Sequence, residues 1–557
     1  MVTVPEKLDP HEASGLPREA DAVVIGTGPN GLVAANRLAD AGWEVLLLEE
    51  QTEIGGSVRS DRDVHPDFVH DTFSAFYPMA AASPVMAGLG LAEHGLRWRH
   101  APAVLGHPWP DGSWSILHRD LDVTAGLLDA ESAGDGAAWR TLVRDWRRVG
   151  PGLLDALLSP MPPVRGALRT ALALPRVGGL DFVRRLLTPA RHVLDAPVRG
   201  HRFAGRSAPM LVQGNACHSD IGLDAAGSGF LGLLLSLLAQ TVGFPVPEGG
   251  AGRLSAALHS RLAARGGRTV TGARVDRVVL DRGRAVGVVV DDTVVRARRA
   301  VVADVGAEQL FGRLLRPEDV PSEFLARLSA FRMDPATVKV DFALDRPVPW
   351  ASAPPYAPGT VHIADSPTEL GITGAQIAAG LIPDRPFLLV GQMTTSDPGR
   401  SPGGTESLWA YSHVPQRVTG DAAGQLTGDW DGGDSDRFAE RMQARLESYA
   451  PGFSATVLAR RVLGPPDLQR RNANLVGGAV GGGSASLDQQ LVFRPTTGNG
   501  RASTPVQGLF LGSASAHPGG SVHGACGMNA ARAALWQARF GGRRELSNGK
   551  RSRVPGN

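Results

Sequence analysis

A glycine-rich turn near the start of the chain, GTGPNG at residues 26–31, constrains the fold more than any other feature. A short, mostly β-branched run over 22–25 precedes it, and apolar residues recur behind it at helical spacing over 32–39. Gly42 then ends the predicted helix, and a second apolar run follows over 45–48. A strand, a tight turn, a helix and a second strand in this order predict the first unit of a doubly wound α/β domain.

The spacing within this unit predicts a dinucleotide site. Gly26 permits the tight turn, Gly28 lets the backbone approach a pyrophosphate, and Gly31 allows the helix to pack closely on the strand. The helix N-terminus offers free N–H groups and about half a positive charge. Glu49 lies eighteen residues beyond Gly31, at the end of the second strand. A carboxylate at that place accepts hydrogen bonds from a ribose 2′-hydroxyl and repels a 2′-phosphate.

The next segment bears on which dinucleotide is bound, because the fingerprint alone does not choose between NAD and FAD. A second glycine pair, Gly55-Gly56, follows the carboxylate within EIGGSVRS at 53–60. Here the sequence resembles the FAD-binding amine oxidase and phytoene desaturase superfamily, whose members carry GG-x-x-R-[ST] directly after the ribose carboxylate. The resemblance implies that this segment lies along FAD, with Arg59 close to the cofactor. Taken alone, the glycine pair equally fits an ordinary turn.

The chain then leaves this domain and returns to it. Residues 85–240 are rich in Leu, Ala, Arg and Pro, with helical periodicity and few β runs, whereas β-rich segments occupy 273–306. In the superfamily a Pro-x-GG loop, here within 244–258, precedes a helix, and the strands that follow re-enter the FAD domain. The resemblance implies a backbone contact with adenine near Val275.

A second glycine-rich stretch, HPGGSVHGACGMN at 517–529, follows another excursion over 316–494. A strand over 508–512 precedes it, and a helix of small residues starts near Gly524. We expect the N-terminus of this helix to point at the far end of the cofactor, where its N–H groups would stabilise the negative charge of a reduced flavin. The sequence departs from the family at Ser513, where many members carry Glu or Asp.

The ordered series of motifs spans almost the whole chain. It is similar to the phytoene desaturase-type flavoproteins, and most of all to the branch of pyridine nucleotide-disulfide oxidoreductase domain-containing 2 proteins. The predicted fold class is α/β, with a Rossmann-type FAD-binding domain built from discontinuous segments and an interleaved α+β substrate-binding domain. The FAD-binding segments are expected at 20–85, 245–315 and 495–542, the substrate-binding segments at 86–244 and 316–494, and flexible tails at 1–19 and 543–557.

FAD is the predicted cofactor, and the motifs together with the resemblance predict its contacts. These contacts are Gly26, Gly28, Pro29, Asn30, Gly31, Glu49, Glu50, Gly55, Gly56, Ser57, Arg59, Val275, Gly512, Ser513, Gly519, Gly520, Gly527 and Met528. The sequence contains no H-E-x-x-H or C-x-x-C, so no metal site or dithiol centre is expected. A formal net charge of +2 gives no drive toward nucleic acid.

The resemblance implies an FAD-dependent oxidoreductase that desaturates a lipophilic, isoprenoid or carotenoid-like small molecule by hydride transfer to flavin N5. Such chemistry needs a C–H bond held over the flavin more than it needs a strong acid or base. The candidate catalytic groups are His517, His523 and Tyr411, although His523 fits a structural helix cap slightly better. Three alternatives stay open: an amine oxidase-like oxidase, a redox-neutral isomerase, and a non-catalytic flavin-binding scaffold or assembly factor.

Two apolar stretches bear on where the substrate is held. Residues 160–194 carry six arginines and one aspartate among Leu, Val and Ala. They predict a solvated cap over the substrate domain, with an interfacial amphipathic surface as the alternative. Residues 228–245 are too short an apolar run to span a bilayer and predict a buried helix beside an apolar pocket. The first residues lack the pattern of a signal peptide, so a cytoplasmic location is expected, with peripheral membrane contact and oligomeric state left open.

Overall fold

The computed structural model describes residues 15–431 and 433–549, with side chains described as far as residue 540. Its strands in chain order are β1 (Glu19–Ile25), β2 (Val45–Leu48), β3 (Ser60–Asp61), β4 (His70–Asp71), β5 (Trp98–Arg99), β6 (Ala103–Pro108), β7 (Trp114–Leu117), β8 (Val246–Pro247), β9 (Arg268–Val270), β10 (Val275–Asp281), β11 (Arg284–Val290), β12 (Thr293–Ala303), β13 (Ala336–Leu344), β14 (Pro358–Ile363), β15 (Leu381–Ile382), β16 (Leu388–Gln392), β17 (Glu406–Val414), β18 (Gly420–Asp421), β19 (Val457–Leu463) and β20 (Leu509–Leu511). Its α-helices are α1 (Pro29–Asp40), α2 (Pro78–Ala82), α3 (Pro84–Ala87), α4 (Leu121–Glu131), α5 (Asp135–Leu158), α6 (Val164–Ala173), α7 (Leu180–Leu187), α8 (Ser207–Ala216), α9 (Ser228–Thr241), α10 (Gly252–Ala264), α11 (Ala307–Gln309), α12 (Ser322–Leu328), α13 (Pro367–Ala378), α14 (Met393–Ser396), α15 (Gly433–Tyr449), α16 (Pro465–Arg471) and α17 (Ala525–Gly549).

The first sheet is the doubly wound core that the glycine turn predicts. Its parallel strands lie in the order β9-β2-β1-β12-β20, and the antiparallel strands β11 and β10 extend it from the first half of β12. Strands buried on both faces read as continuous apolar runs, as Val45–Leu48 does. Helices α1, α10 and α17 pack on one face, and residues 307–331 pack on the other. The order reverses at β1, where doubly wound sheets bind their ligands.

The second sheet runs β19-β13-β17-β16-β14-β6-β7 and is antiparallel except for the parallel pair β14 and β6. One face packs on α15 through Phe438, Met442 and Leu446. A layer of helices that includes α5, α8 and α9 forms a further apolar core around Trp139 and Leu211. Together these elements form the mixed α+β part of the molecule.

The predicted α/β fold class is confirmed. Strands β6 and β7 lie in the region where helical periodicity and few β runs were expected, and they complete the edge of the second sheet. Their short runs, one of which contains Gly106 and His107, lack the β-branched signature that marks a strand in a sequence. The helix predicted over 228–245 is confirmed as α9, which is largely buried and lines a mostly apolar cavity.

The predicted domain segments remain a prediction, although the strands of each sheet are distributed in the same way along the chain. Strands of the first sheet fall within or next to 20–85, 245–315 and 495–542, and those of the second within 86–244 and 316–494. The last helix continues to Gly549, beyond the expected boundary at 542, because the residues that follow include the good helix formers Arg543, Arg544 and Glu545. The rest of the expected tails, 1–14 and 550–557, lies outside the described residues. Within the part of the chain that the structure describes, no helix is both long and apolar enough to cross a membrane.

Candidate cofactor and substrate cleft

A long cleft opens at the carboxyl ends of the parallel strands and extends to the second sheet. It brings together segments that lie far apart in the sequence, as the discontinuous domain predicts. The predicted cofactor contacts that line it are Gly26, Gly28, Pro29, Asn30, Glu49, Glu50, Gly56, Ser57, Arg59, Val275, Ser513 and Gly520, and of the predicted catalytic residues Tyr411 lines it.

The glycine turn forms one end of the cleft, at the N-terminus of α1. Gly28 is the N-cap residue and Pro29 follows it in the first turn, so no side chain caps this end. A Cβ atom on Gly31 would lie 2.2 Å from the carbonyl oxygen of Gly26, which requires glycine there. A Cβ atom on Gly56 would lie 3.0 Å from the Cα atom of Gly28. The two glycine segments therefore pack against each other and leave exposed backbone for an anionic ligand.

Glu49 is held at the end of β2 by the turn itself. Its Oε2 atom accepts hydrogen bonds from the Thr27 backbone N–H at 2.8 Å and from Thr27 Oγ1 at 2.6 Å. Its Oε1 atom accepts from the backbone N–H of Gln51 at 3.0 Å. Each carboxylate oxygen can accept about two hydrogen bonds, so Oε1 retains capacity for a ribose hydroxyl. The geometry fits the ribose-binding role predicted for Glu49.

Asp304, at the end of β12, is a cleft residue that the sequence reasoning did not select. Its Oδ2 atom accepts a hydrogen bond from the Gly31 N–H at 2.8 Å and would lie 2.6 Å from a Cβ atom on Gly28. Burial raises the pKa of this carboxyl well above its ordinary value, and the charge of Glu49 raises it further. A neutral carboxyl at this place can sit beside a phosphate without adding a negative charge.

Arg59 provides an observation that tests whether the cleft fits an anionic cofactor. Its Nη2 atom donates to the backbone oxygen of Arg471 at 3.0 Å, and its guanidinium lies 5.4 Å from the centre of the Phe73 ring. Its Nε atom is buried and, among the described residues, has no hydrogen-bond partner. A buried donor without a partner is costly, so this atom is ready for an acceptor on a bound molecule. The residues present therefore fit a dinucleotide along this wall.

Arg494, which is fully buried, fastens two loops at the opposite wall. It donates to the Ala514 oxygen from Nε at 3.0 Å and from Nη2 at 2.8 Å. It also donates to the oxygens of Gly482, at 2.8 Å, and Ser484, at 2.9 Å. Gly482 and Ala514 both line the cleft, so this one guanidinium fixes the shape of the wall.

The second sheet contributes Tyr411 and Lys339 to the cleft. Tyr411 is stacked on Trp409 at a ring separation of 5.7 Å, and burial raises the pKa of its phenol, which therefore stays protonated at neutral pH. Lys339 donates to the Asp71 oxygen at 2.9 Å and forms a buried ion pair with Asp341. Burial lowers the pKa of Lys339, and the charge of Asp341 opposes that shift. Lys339 is thus a structural cation at the border of the cleft.

The two predicted catalytic histidines do not line the cleft. His517 Nε2 bonds to the Ser159 oxygen at 2.9 Å, and burial lowers its pKa. His523 Nδ1 accepts from the first N–H of α17, on Ala525, at 3.0 Å, and burial lowers its pKa to about 4. This neutral imidazole, bonded to the first turn of α17, matches the structural helix cap that the sequence favours for His523. The structure therefore gives no geometric support for proton transfer to a substrate by either residue.

Six further predicted cofactor contacts serve the packing around the cleft. They are Gly31, Gly55, Gly512, Gly519, Gly527 and Met528, none of which lines it in the described structure. A Cβ atom on Gly527 would lie 1.8 Å from the Asn30 oxygen, so this glycine allows α17 to cross α1 closely. Gly519 lies against Arg494, and Gly55 donates to the Thr27 oxygen at 3.2 Å. Whether these residues touch a bound cofactor remains a prediction.

The residues that sequence reasoning missed left faint signals. Asp304 stands directly after the apolar run VVA at 301–303, and side chains at the carboxyl ends of parallel strands converge on ligand sites. Lys339 is one of three lysines in the whole chain and lies in the middle of a strand. Arg494 had no signal of this kind, because its partners are backbone carbonyls that only the folded chain brings together.

Comparisons with known proteins agree with this geometry. The model of the NAD(P)-binding Rossmann-like domain family matches residues 24–88. Pyridine nucleotide-disulfide oxidoreductase domain-containing protein 2 of Mus musculus is 30% identical over 550 residues, covering 92% of this chain and 93% of that protein. Hydroxyneurosporene desaturase of Cereibacter sphaeroides is 27% identical over 539 residues, covering 92% of this chain and 97% of that protein.

A solved structure of a redesigned putrescine oxidase matches with a TM-score of 0.57 at 15% identity, covering 93% of this chain and 98% of that one. At such low identity the match concerns the fold alone, which it shares over nearly the full length. The resemblance predicted from the motifs is confirmed by the sequence relatives. The chain belongs to the family of pyridine nucleotide-disulfide oxidoreductase domain-containing 2 proteins.

Proposed function

We propose that the protein is an FAD-dependent oxidoreductase that dehydrogenates a lipophilic small molecule, isoprenoid or carotenoid-like in character. The observation that carries the proposal is the mixed lining of a single cleft. The glycine turn, Glu49 and Arg59 line it together with apolar side chains such as Phe76 and Val522. The name of one relative, a hydroxyneurosporene desaturase, supports the same class of reaction.

The polar groups of the cleft support FAD as the cofactor. Glu49 can accept from a ribose hydroxyl, and Arg59 Nε can donate to an acceptor on the cofactor. When bound, FAD supplies an acceptor for a hydride from a substrate carbon.

The apolar side chains of the cleft favour a lipophilic substrate. They are Phe73, Phe76, Leu314, Leu468, Leu475, Val480 and Val522. The charged side chains that line the cleft are of both signs and do not by themselves discriminate against a protonated amine; they are Arg59, Arg313, Lys339 and Arg471 on one side and Glu49, Glu50 and Asp304 on the other. The titration described below separates the amine oxidase-like alternative from the dehydrogenase.

The chain's own part in the reaction is to hold and shield the substrate. Tyr411 keeps its proton at neutral pH, so it can donate a hydrogen bond but cannot act as a base. The loops fastened by Arg494 contribute Gly482 and Ala514 to the cleft wall. Placing a C–H bond at a fixed distance in a dry cleft accounts for rate enhancement without a dedicated acid or base.

The test is anaerobic absorbance of the purified protein, titrated with apolar and polar fractions of a host lipid extract. We expect bound FAD at close to one per chain and loss of the oxidised flavin band with the apolar fraction. The substrate fraction is then searched for a new double bond.

A matched pair of glycine variants controls the test. Gly28→Val fills the approach beside Asp304 and should abolish flavin binding, whereas Gly403→Val, in open space on a surface loop, should leave it intact. Protein without bound FAD would refute the proposal. Reduction by amines alone would favour the oxidase, and rearranged substrate with oxidised flavin would favour the isomerase. Bound FAD that neither fraction reduces or rearranges would favour the scaffold.

A further inference from the structure

Helices α6 and α7 carry large apolar side chains on the surface of the molecule. In α6, Val164, Leu168 and Leu172 recur every four residues and are 66%, 59% and 64% exposed. In α7, Leu180 and Leu187 are 85% and 55% exposed. Single exposed leucines are ordinary on protein surfaces, but a regular stripe of them on adjacent helices marks an interaction site.

The packing of α6 explains why this stripe faces outward. A Cβ atom on Gly166 would lie 2.2 Å from the backbone nitrogen of Ala156, so α6 lies almost directly against α5. The two helices also approach closely at Gly152 of α5, where a Cβ atom would lie 3.0 Å from the backbone nitrogen of Thr170 in α6. Positions 166 and 170 lie on the helix face opposite to 164, 168 and 172 at 100° per residue. The close contact at Gly166 and Gly152 therefore turns Val164, Leu168 and Leu172 toward solvent.

Arginines flank the apolar stripe. Residues 164–187 contain five arginines against a single acid, Asp181. Arg165, Arg169, Arg176 and Arg184 are exposed, and Arg169 reaches back to Asp155 at 3.4 Å. Apolar side chains bordered by arginine form the pattern of a helix that lies in the interface of an anionic bilayer. A second copy of the same surface would bring its own arginines against these, so charge disfavours self-association through this patch.

The patch continues to the loop that borders the cleft. The Gly227 N–H donates to the Leu187 oxygen at 3.2 Å, and Leu487 lies 3.2 Å from a Cβ atom built on Gly227. Leu487 and the nearby Leu491, Val492 and Phe493 are exposed. Val480 and Gly482, in the same loop, line the cleft. The exposed apolar surface and the cleft are thus connected by one stretch of chain, residues 480–493.

We propose that the outer face of α6 and α7, together with residues 487–493, docks on the surface of an anionic phospholipid membrane. The leucines insert at the level of the headgroups, and the arginines contact lipid phosphates. Docking in this way brings residues 480–493, and with them the rim of the cleft, to the bilayer. The proposal goes beyond the proposed reaction and does not depend on it, because membrane binding is measured without turnover.

The test is flotation of the full-length, flavin-loaded protein with vesicles of phosphatidylcholine alone or with about 30% phosphatidylglycerol. We expect binding to the anionic vesicles that weakens in high salt. The double variant Leu168→Ser, Leu172→Ser should lower the partition coefficient by about tenfold or more. Arg165→Gln with Arg184→Gln should lower it by about fivefold per charge on anionic vesicles only.

The matched control replaces two exposed apolar residues outside the patch, Val294→Ser and Leu458→Ser, and should bind as the wild type does. Circular dichroism and flavin content check that every variant is folded. The proposal is overturned if the wild type fails to bind anionic vesicles, or if the leucine variant binds as well as the control. A third outcome also overturns it: light scattering shows that the wild type is a dimer and the leucine variant a monomer, and the monomeric variant binds vesicles as well as the wild type does.

Discussion

Replacing Arg494 with methionine tests whether one buried guanidinium holds the wall of the cleft. The substitution keeps most of the apolar stem and removes the charged fork. It leaves the carbonyl oxygens of Gly482, Gly483 and Ala514 without the donors that lie 2.8–3.3 Å from them, whereas the Ser484 oxygen keeps a bond from Gln490 Nε2 at 2.7 Å. Gly482 and Ala514 line the cleft, so their loops should shift with the lost bonds.

The expected cost follows from those bonds. A buried carbonyl left without a donor costs about 1–3 kcal/mol, so three of them together cost about 3–9 kcal/mol. Removing a desolvated cation returns several kcal/mol, since no carboxylate forms an ion pair with it in the described structure. We therefore expect a net loss of about 3 kcal/mol in the free energy of unfolding. At the unfolding entropy typical of a 557-residue chain, about 1.2 kcal/mol per kelvin, this lowers Tm by about 2–3 °C.

Two measurements and two further variants make the test specific. Thermal unfolding of the flavin-free protein reports the stability, and absorbance of the purified protein reports the flavin bound per chain. Arg494→Met should lose flavin severalfold, and Arg494→Lys should fall between it and the wild type, because lysine keeps the charge but lacks the fork. Arg332→Met is the control: that arginine is exposed and pairs with Asp488 at 2.8 Å, so Tm should change by less than about 1 °C. If Arg494→Met matches Arg332→Met in both Tm and flavin content, the wall does not depend on Arg494.

Three other substitutions probe the cleft. Asp304→Asn should raise the Tm of the flavin-free protein above that of the wild type, by an amount that grows from about pH 4 to pH 7. The raised pKa of Asp304 means that the folded wild type binds a proton that the unfolded chain releases over this range, so wild-type stability falls as the pH rises. A difference in Tm that stays constant across these pH values would contradict the raised pKa. Glu49→Gln should weaken FAD binding by about tenfold or more, because the amide group of the glutamine must face one of the N–H or O–H donors that now bond to the carboxylate. An unchanged dissociation constant in a flavin fluorescence titration would argue against the ribose role. Tyr411→Phe should change KM for the apolar substrate more than kcat, because a protonated phenol positions the substrate; a hundredfold loss in kcat with a shifted pH profile would instead assign it proton transfer.

The sequence by itself determined the first strand–turn–helix unit and the identity of the family. Gly26, Gly28 and Gly31 have a fixed spacing because a turn, a helix start and a close helix–strand contact are local requirements. The same local logic predicted Glu49, and the family resemblance pointed to the glycine pair at 55 and 56. Glu49 and Gly56 line the cleft through contacts made within about thirty residues, which a sequence pattern can encode.

Tertiary structure alone decided the rest of the site. The sequence left His523 as a catalytic candidate beside the favoured interpretation as a helix cap, and the folded chain bonds its imidazole to the helix end. Asp304 reaches Gly31 across 273 residues of sequence, and Arg494 binds carbonyls that the folding of two loops brings together. Backbone acceptors carry no residue-specific mark, so no pattern of residue types predicts such contacts. The outward direction of Leu168 was likewise decided by a glycine of α6 packing against α5, because amphipathic spacing shows that a helix has two faces and not which one is buried.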